Sequence, residues 1–296
     1  MAKHTPPPGW KSPLEPQQPL AGAPWIAWAL ASVLTLAAIC VYCTFCLLFW
    51  QGQWQLVFKP SATITVTPAS DGLRYDEVAF DATETGTLQL RGWWIPADSA
   101  TTLLLLHGGT GSLSDTVPHL QALHSLGLNL FVFDYRGFGK SMPLHPSQAS
   151  TYDDAEAAWR YLTDTRHLAP GNILLDGSGL GAAIAAEVAR RHPEAAALIL
   201  EDAQPPALDS VQLDRGMRLL PIRLLFHDRF DPTDALAHLR MPKLFLSPTA
   251  NALYYEQAAD PKEKAISTNY ASEAYATCVR NFLNKFVPGS RQQHPT

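Results

Sequence analysis

An uncharged apolar segment near the N-terminus limits what this chain can fold into. No Asp, Glu, Lys or Arg occurs between Glu15 and Lys59, and residues 26–50 are almost continuously apolar. As a helix rising about 1.5 Å per residue, residues 26–50 extend about 37 Å, enough to cross the hydrocarbon core of a bilayer. The sequence therefore predicts one transmembrane helix over 25–50. Interfacial aromatic residues mark both of its ends: Trp25, Trp28, Trp50 and Trp54.

Two other interpretations of this segment fit less well. A buried core helix of this length usually has a polar face, and the apolar run exceeds a usual signal-peptide core and lacks a clear Ala-x-Ala cleavage site. The positive charges on the two sides of the span are nearly balanced, with Lys11 before it and Lys59 after it, so the positive-inside rule does not decide the orientation. The N-terminal amine and the short preceding tail favour a cytoplasmic N-terminus. The prediction is a single-pass membrane protein with its domain on the non-cytoplasmic side.

The remaining sequence divides into two tails and one domain. Residues 1–24 are rich in proline, and residues 288–296 begin with a Pro-Gly pair, so both are predicted to be disordered. Residues 54–287 are expected to form one globular domain, since 47% of the chain is hydrophobic and 17% is charged. The net charge of -5 and the lack of any basic run argue against a nucleic-acid partner. The predicted partner is the lipid bilayer.

Short apolar runs alternate with helical stretches along this domain, which predicts the α/β class. Runs that are apolar on both faces are typical of a mostly parallel sheet covered by helices. Helices are predicted over 117–127, 149–165, 182–191 and 271–286. Strands are predicted over 63–67, 77–80, 88–95, 103–107, 130–134, 173–175, 197–200 and 244–246.

A glycine-rich turn links one predicted strand to the following helix. Residues 174–186 read Leu-Leu-Asp-Gly-Ser-Gly-Leu-Gly-Ala-Ala-Ile-Ala-Ala. With several other blocks, this segment resembles the membrane-anchored α/β-hydrolase domain proteins, which include lysophospholipid lipases and depalmitoylating thioesterases. The resemblance covers about residues 54–287. The other blocks, in chain order, are Val57-Phe-Lys-Pro60, Gly92-Trp-Trp-Ile-Pro96, His107-Gly-Gly109 and Asp134-Tyr-Arg-Gly-Phe-Gly-Lys-Ser141.

The resemblance implies the α/β-hydrolase fold and a serine hydrolase mechanism. Such enzymes place a nucleophile on the sharp turn after a strand and bind the developing oxyanion with two backbone N–H groups. Here those N–H groups would belong to Gly109 and Leu180, and the loop containing His107 and Gly108 would complete an oxyanion or ligand pocket. The same loop is also consistent with a tight structural turn. Residues 134–141 are expected to brace this site.

The nucleophile position, however, is occupied by glycine. The turn needs small residues two before and two after the nucleophile, because the strand and the helix pack closely there. Only Gly177 and Gly181 satisfy that spacing, and they centre the turn on Gly179. Centring it on Ser178 would require Asp176 and Leu180 at the two small positions. The sequence therefore predicts no hydroxyl at the apex.

The acid and the histidine of a triad are also not found where the resemblance expects them. The acid position after the strand at 242–247 corresponds to Asn251. The loop at 265–270, placed between the last strand and the C-terminal helix, has no histidine, and we assign the vacated position to Asn269. No histidine lies between His238 and His294. The three triad positions are thus Gly179, Asn251 and Asn269.

Three functional hypotheses follow from these residues. The first is a pseudoenzyme that acts as a binding or scaffold module for a small acyl or lipid ligand or for a protein. The second is an active hydrolase of esters, thioesters or peptides with a rearranged site, for instance Ser178 with His107 or His227. The third is a carrier of lipid or acyl chains. The motifs predict no metal site and no cofactor, since Gly-x-Gly-x-Gly does not match the dinucleotide fingerprint.

Overall fold

A computed structural model describes residues 23–83, 86–212, 219–267 and 269–287. The chain divides into two compact units at the boundary between Phe49 and Trp50. The predicted tails, residues 1–24 and 288–296, lie almost entirely outside the described residues.

The apolar N-terminal segment forms one long helix, α1, Ala23–Gly52. It contains no acidic residue in its first turn and no basic residue in its last. Only 6% of its most apolar window is buried, so its side chains are not the core of a soluble domain. Length and composition are sufficient for α1 to cross a bilayer, as they also are for a signal sequence.

The second unit is built on an eight-stranded sheet, in which six neighbouring strands run parallel. Its strand order is β10-β9-β8-β7-β4-β6-β3-β2, and β3 is antiparallel to both of its neighbours. The strands are β2 Asp76–Asp81, β3 Gln89–Ile95, β4 Thr102–Leu106, β6 Asn129–Asp134, β7 Ile173–Ser178, β8 Ala197–Glu201, β9 Lys243–Ser247 and β10 Lys262–Ile266. A separate two-stranded parallel pair is formed by β1 Lys59–Pro60 and β5 Thr110–Gly111.

Helices cover both faces of the sheet, which explains why the central strands are apolar on both sides. Two hydrophobic clusters result, one under α3 and α9 and the other under α4, α5 and α8. The helices of this unit are α2 Trp54–Val57, α3 Val117–His124, α4 Gln148–Arg160, α5 Gly181–Arg191, α6 Ala207–Gln212, α7 Ile222–Leu225, α8 Thr233–His238 and α9 Glu273–Phe286. A π-helical turn, Tyr161–Thr165, continues α4.

The predicted α/β-hydrolase fold, with a mostly parallel sheet flanked by helices, is confirmed. Two predictions of elements were wrong. Residues 63–67 form no strand, because the backbone N–H groups of Thr65 and Val66 bond to the Ser114 hydroxyl instead of to a ladder. The last strand, β10, includes Ala265 and Ile266, which the sequence predicts to lie in the loop before the C-terminal helix. Its alternating charged residues do not match the apolar pattern of a buried strand, because β10 lies at the sheet edge and its residues are at most partly buried.

Candidate functional site

The turn between β7 and α5 has its apex at Gly179. This residue has a φ of +60°, in the left-handed region that favours glycine. A Cβ at Gly177 would overlap the carbonyl oxygen of Gly181, and a Cβ at Gly181 would overlap the carbonyl oxygen of Leu106. Both flanking positions therefore require glycine. A Cβ at Gly179 would meet only Gln204 Cγ, at 3.9 Å, so the apex has room for a side chain that the sequence does not supply.

The loop after β4 lies beside this turn. A Cβ at Gly109 would be 2.9 Å from Leu180 Cδ2, and one at Gly108 would be 3.5 Å from the Ser178 carbonyl oxygen. Gly109 also accepts a hydrogen bond from the Lys59 N–H at 2.7 Å, which joins β1 to this loop. The structure thus brings Gly109 next to Leu180, the residue that precedes α5.

The His107 side chain is buried, and its Nδ1 lies 2.8 Å from the Gly108 carbonyl oxygen in the same loop. Its ring packs against Tyr135 and Phe138, and its Nε2 lies 3.8 Å from Asp134 Oδ1. Burial lowers the pKa of His107 to about 4, and burial also raises the pKa of Asp134 to about 7. Near neutral pH the His107 ring is therefore uncharged. Its contact with Asp134 does not form an ion pair.

The raised pKa of Asp134 predicts a pH-dependent effect of the Asp134→Asn substitution. Below about pH 4 this carboxyl is protonated in both the folded and the unfolded chain, so the variant and the wild type should differ least. As pH rises towards 7 only the unfolded wild-type chain releases the proton, so wild-type stability falls relative to the variant. The slope is at most about 1.4 kcal/mol per pH unit. Urea unfolding of full-length protein in detergent between pH 4 and 8 measures it, and parallel curves would contradict the prediction.

The two asparagines that we assigned to triad positions lie in loops at the carboxyl ends of β9 and β10. Asn251 is exposed and contributes to a cavity of about 180 Å³ lined by the ends of β8 and β9. Asn269 is also exposed, and its Oδ1 accepts a hydrogen bond from the Ala271 N–H in the turn before α9. The Asn269 side chain thus stabilises this turn.

Tyr270 lies in the same loop as Asn269 and contacts β7. The sequence reasoning did not single it out. Its hydroxyl is 3.5 Å from Ser178 Oγ, and its ring stacks on His119 with centroids 4.1 Å apart. Ser178 lies two residues after Asp176 on β7, so both side chains point to the α3 and α9 face of the sheet. Burial raises the pKa of Tyr270 above its usual range, so its hydroxyl stays protonated and cannot act as a base.

A second group missed by the sequence reasoning lies beneath Tyr270. His119 from α3, Asp176 from β7 and Glu201 from β8 are all buried. The His119 ring lies within ion-pair distance of both carboxylates. Burial, followed by the neighbouring Glu201, raises the pKa of Asp176 well above its usual range. The three residues are distant in sequence and come together because β7 and β8 are adjacent in the sheet and α3 carries His119 to within contact distance of both carboxylates.

Residues 134–141 form a loop that is held by contacts with the neighbouring elements. The Arg136 guanidinium pairs with the fully buried carboxylate of Asp154 on α4. The Ser141 hydroxyl donates to the Asp134 carbonyl and accepts from the Arg91 N–H at 2.9 Å. The loop is therefore fixed to α4 and to β3.

Comparison with known sequences finds relatives over most of the second unit. A profile of the alpha/beta hydrolase fold family matches residues 101–239. An uncharacterised protein of Mycobacterium tuberculosis is 31% identical over 202 residues, which cover 67% of this chain and 69% of that protein. Protein bem46 of Schizosaccharomyces pombe is 34% identical over 107 residues, 36% of each chain. The mouse alpha/beta hydrolase domain-containing protein 17C is 36% identical over 100 residues, 33% of this chain and 31% of its own length.

Solved structures show the same architecture. An esterase of Pyrococcus furiosus superposes with a TM-score of 0.62 at 22% identity, covering 78% of this chain and 97% of its own. An alpha-beta hydrolase of Vibrio vulnificus gives a TM-score of 0.57 at 20% identity, covering 75% of this chain and 82% of its own. At these identities the likeness concerns the fold.

Proposed function

We propose that this chain, which belongs to the α/β-hydrolase fold family, is a membrane-anchored member that has lost serine-triad catalysis and acts as a binding or scaffold module. The observation that carries the proposal is that Gly179 occupies the apex of the turn between β7 and α5. Gly177 and Gly181, two residues before and two residues after Gly179, have no space for a Cβ. The apex of the turn therefore cannot shift to Ser178. Acyl transfer by this fold needs a nucleophile at that apex, and glycine has none.

The neighbouring hydroxyl and rings do not supply a substitute triad. Ser178 Oγ lies 3.5 Å from the Tyr270 hydroxyl, and that phenol is not a base. His227 Nε2 accepts a hydrogen bond from the Trp50 indole, and His107 is buried beside Asp134. An active serine needs an imidazole within about 3 Å that is itself held by a carboxylate. These contacts support the loss of catalysis rather than a rearranged site.

The retained backbone cradle supports a binding role. Gly109 and Leu180 adjoin the first turn of α5, and the N–H groups that would bind an oxyanion in a hydrolase would here bind a carbonyl or carboxylate of a ligand. A small acyl or lipid ligand fits this chemistry, and its source would be the bilayer beside the domain. Native mass spectrometry from detergent should then find a co-purifying acyl species, and protein without any bound species would count against a lipid ligand.

Turnover of model esters tests the loss of catalysis. We expect full-length wild type to hydrolyse p-nitrophenyl esters and acyl thioesters no faster than buffer, and Gly179→Ser to remain inactive because Asn251 and Asn269 supply neither acid nor base. Adding a serine without its base typically leaves a hydrolase several orders of magnitude below a complete triad. The purified Pyrococcus esterase serves as the active control. Wild-type turnover abolished by Ser178→Ala would contradict the proposal.

Retention of α1 as an anchor is a separate prediction. We expect the chain to remain in the membrane fraction after alkaline carbonate extraction, and a variant lacking residues 1–49 to appear in the soluble fraction. Intact mass of the membrane-bound protein should include α1, because a spanning helix is not removed. A mature protein that begins after α1 would identify a cleaved signal sequence instead. Protease accessibility in sealed vesicles would test the proposed non-cytoplasmic domain.

A further inference from the structure

The buried group formed by His119, Asp176 and Glu201 has the composition of a metal site. The three residues are 3%, 0% and 1% exposed. Imidazole nitrogen and carboxylate oxygen are the donors that divalent transition metals take in proteins. One ligand atom from each residue lies within 4.8 Å of the other two. The donors come from a helix and two adjacent strands, so the sheet itself fixes their separation.

The distances from His119 Nε2 to the two carboxylates match a coordination polyhedron, and the hydrogen bond of this nitrogen is to the Tyr275 hydroxyl at 2.9 Å, which a metal ion would displace. His119 Nε2 lies 3.5 Å from Asp176 Oδ2 and 3.3 Å from Glu201 Oε1. Hydrogen bonds between nitrogen and oxygen are usually about 2.7–3.2 Å long. A tetrahedron with metal–ligand bonds of about 2.0–2.1 Å has edges of about 3.3–3.4 Å. The two distances from His119 Nε2 are therefore close to the edges expected around zinc.

The carboxylates lack the partners that buried anions require. Among the described residues, neither oxygen of Asp176 has a hydrogen-bond donor, and Glu201 Oε2 has none. His119 is also the one side chain that the structure places in ion-pair contact with either acid within those residues. Two desolvated carboxylates side by side are strongly unfavourable without a cation or a proton. A divalent ion would neutralise both and satisfy the unpartnered oxygens.

The surroundings hold the donors in place. The Tyr275 hydroxyl donates to Glu201 Oε1 at 2.6 Å, which orients this carboxylate. Tyr270 stacks on the His119 ring with an interplanar angle of 10°, which fixes the plane in which Nε2 points. Outer contacts of this kind are typical of ligand sets in metal sites.

We propose that His119, Asp176 and Glu201 bind one divalent transition-metal ion, with zinc as the best fit, and that this ion ties α3 to strands β7 and β8. The site is separate from the backbone cradle at Gly109 and does not depend on the proposed function. It differs from the expectation, based on sequence motifs, that the chain has no metal site. Motifs with closely spaced ligands could not reveal it, because each donor comes from a different element.

Metal analysis of the full-length protein tests the proposal. Untagged protein purified in detergent and dialysed against zinc should contain about one zinc per chain. A strong chelator should remove the ion and lower the melting temperature, and zinc should restore both. Asp176→Asn and His119→Gln should each abolish stoichiometric binding. His192→Gln is the matched control, since this partly exposed histidine pairs with Glu156 away from the cluster and should leave the zinc content unchanged.

A spectroscopic measurement on the wild type keeps the proposal testable if these variants fail to fold. Chelated protein reloaded with Co²⁺ should show the visible d–d bands of a tetrahedral nitrogen and oxygen site. Protein that binds neither Zn²⁺ nor Co²⁺ stoichiometrically, with a melting temperature unaffected by both, would overturn the proposal. That result would assign the cluster to a carboxylate pair sharing a proton. Binding that persists unchanged in folded Asp176→Asn would overturn it as well.

Discussion

Gly181→Ala is expected to lower the free energy of unfolding by about 3 kcal/mol, one of the two largest effects that the structure predicts. The added Cβ would overlap the Leu106 carbonyl oxygen and lie 2.7 Å from that of His107. Both obstacles are backbone atoms at the end of a central strand, with sheet neighbours on either side. They cannot move aside as a flexible side chain would. Chemical unfolding of the full-length protein in detergent measures the loss.

Alanine at two other glycines provides the matched controls. Gly179→Ala should cost only about 1–2 kcal/mol, the penalty for a left-handed backbone with a Cβ, because nothing lies closer to the new atom than 3.9 Å. Gly171→Ala has a normal backbone and the same clearance, so its effect should be within about 0.5 kcal/mol of zero. A larger loss for Gly179→Ala than for Gly181→Ala would mean that the apex of the turn is misplaced.

Arg136→Ala is expected to destabilise the protein by about 3–5 kcal/mol, because it leaves a buried charge without its partner. The Asp154 carboxylate is fully buried, and Arg136 binds it through both the guanidinium and the backbone N–H. Removing the guanidinium leaves an anion that burial already disfavours, as the raised pKa of Asp154 indicates. The loss should therefore shrink at low pH, where the carboxyl is protonated and no charge is left unpaired.

Lys140→Ala is the control within the same loop. Lys140 pairs with Glu77, but both side chains are more than half exposed, at 57% and 58%. Exposed pairs typically contribute about 0–1 kcal/mol, because water solvates each charge alone. Equal losses for Arg136→Ala and Lys140→Ala would show that burial of Asp154 does not decide the stability of this loop.

The central sheet and its helices were predictable because their signals are local. Strands such as Leu103–Leu106 are apolar on both faces, which only a covered parallel sheet explains, and the Gly177 and Gly181 spacing located the turn. The failures have equally specific causes. β10 reads Lys-Glu-Lys at its start, which is unusual for a buried strand and acceptable at the sheet edge. Residues 63–67 look β-rich but use the Ser114 hydroxyl as a partner.

The environment of the site depended on contacts that no local pattern encodes. The sequence indicated that His107 belongs to a glycine-rich loop, but not that its ring turns into the core against Tyr135. It drew attention to Asn269, whereas the neighbouring Tyr270 is the residue that reaches Ser178. The approach of His119 to Asp176 requires the strand order and the packing of α3. These contacts belong to the tertiary structure, and the local patterns of one sequence do not specify them.

Labelling with a fluorophosphonate tests the central claim most directly, because the probe reacts with any serine that a neighbouring base activates. Purified full-length protein would be incubated with excess probe and analysed by intact mass, with an active esterase of the same fold treated in parallel. We predict that the mass of the wild-type protein is unchanged while the esterase gains one probe. A stoichiometric adduct on the wild type, mapped to Ser178 or to another serine beside the Gly179 turn, would contradict the account.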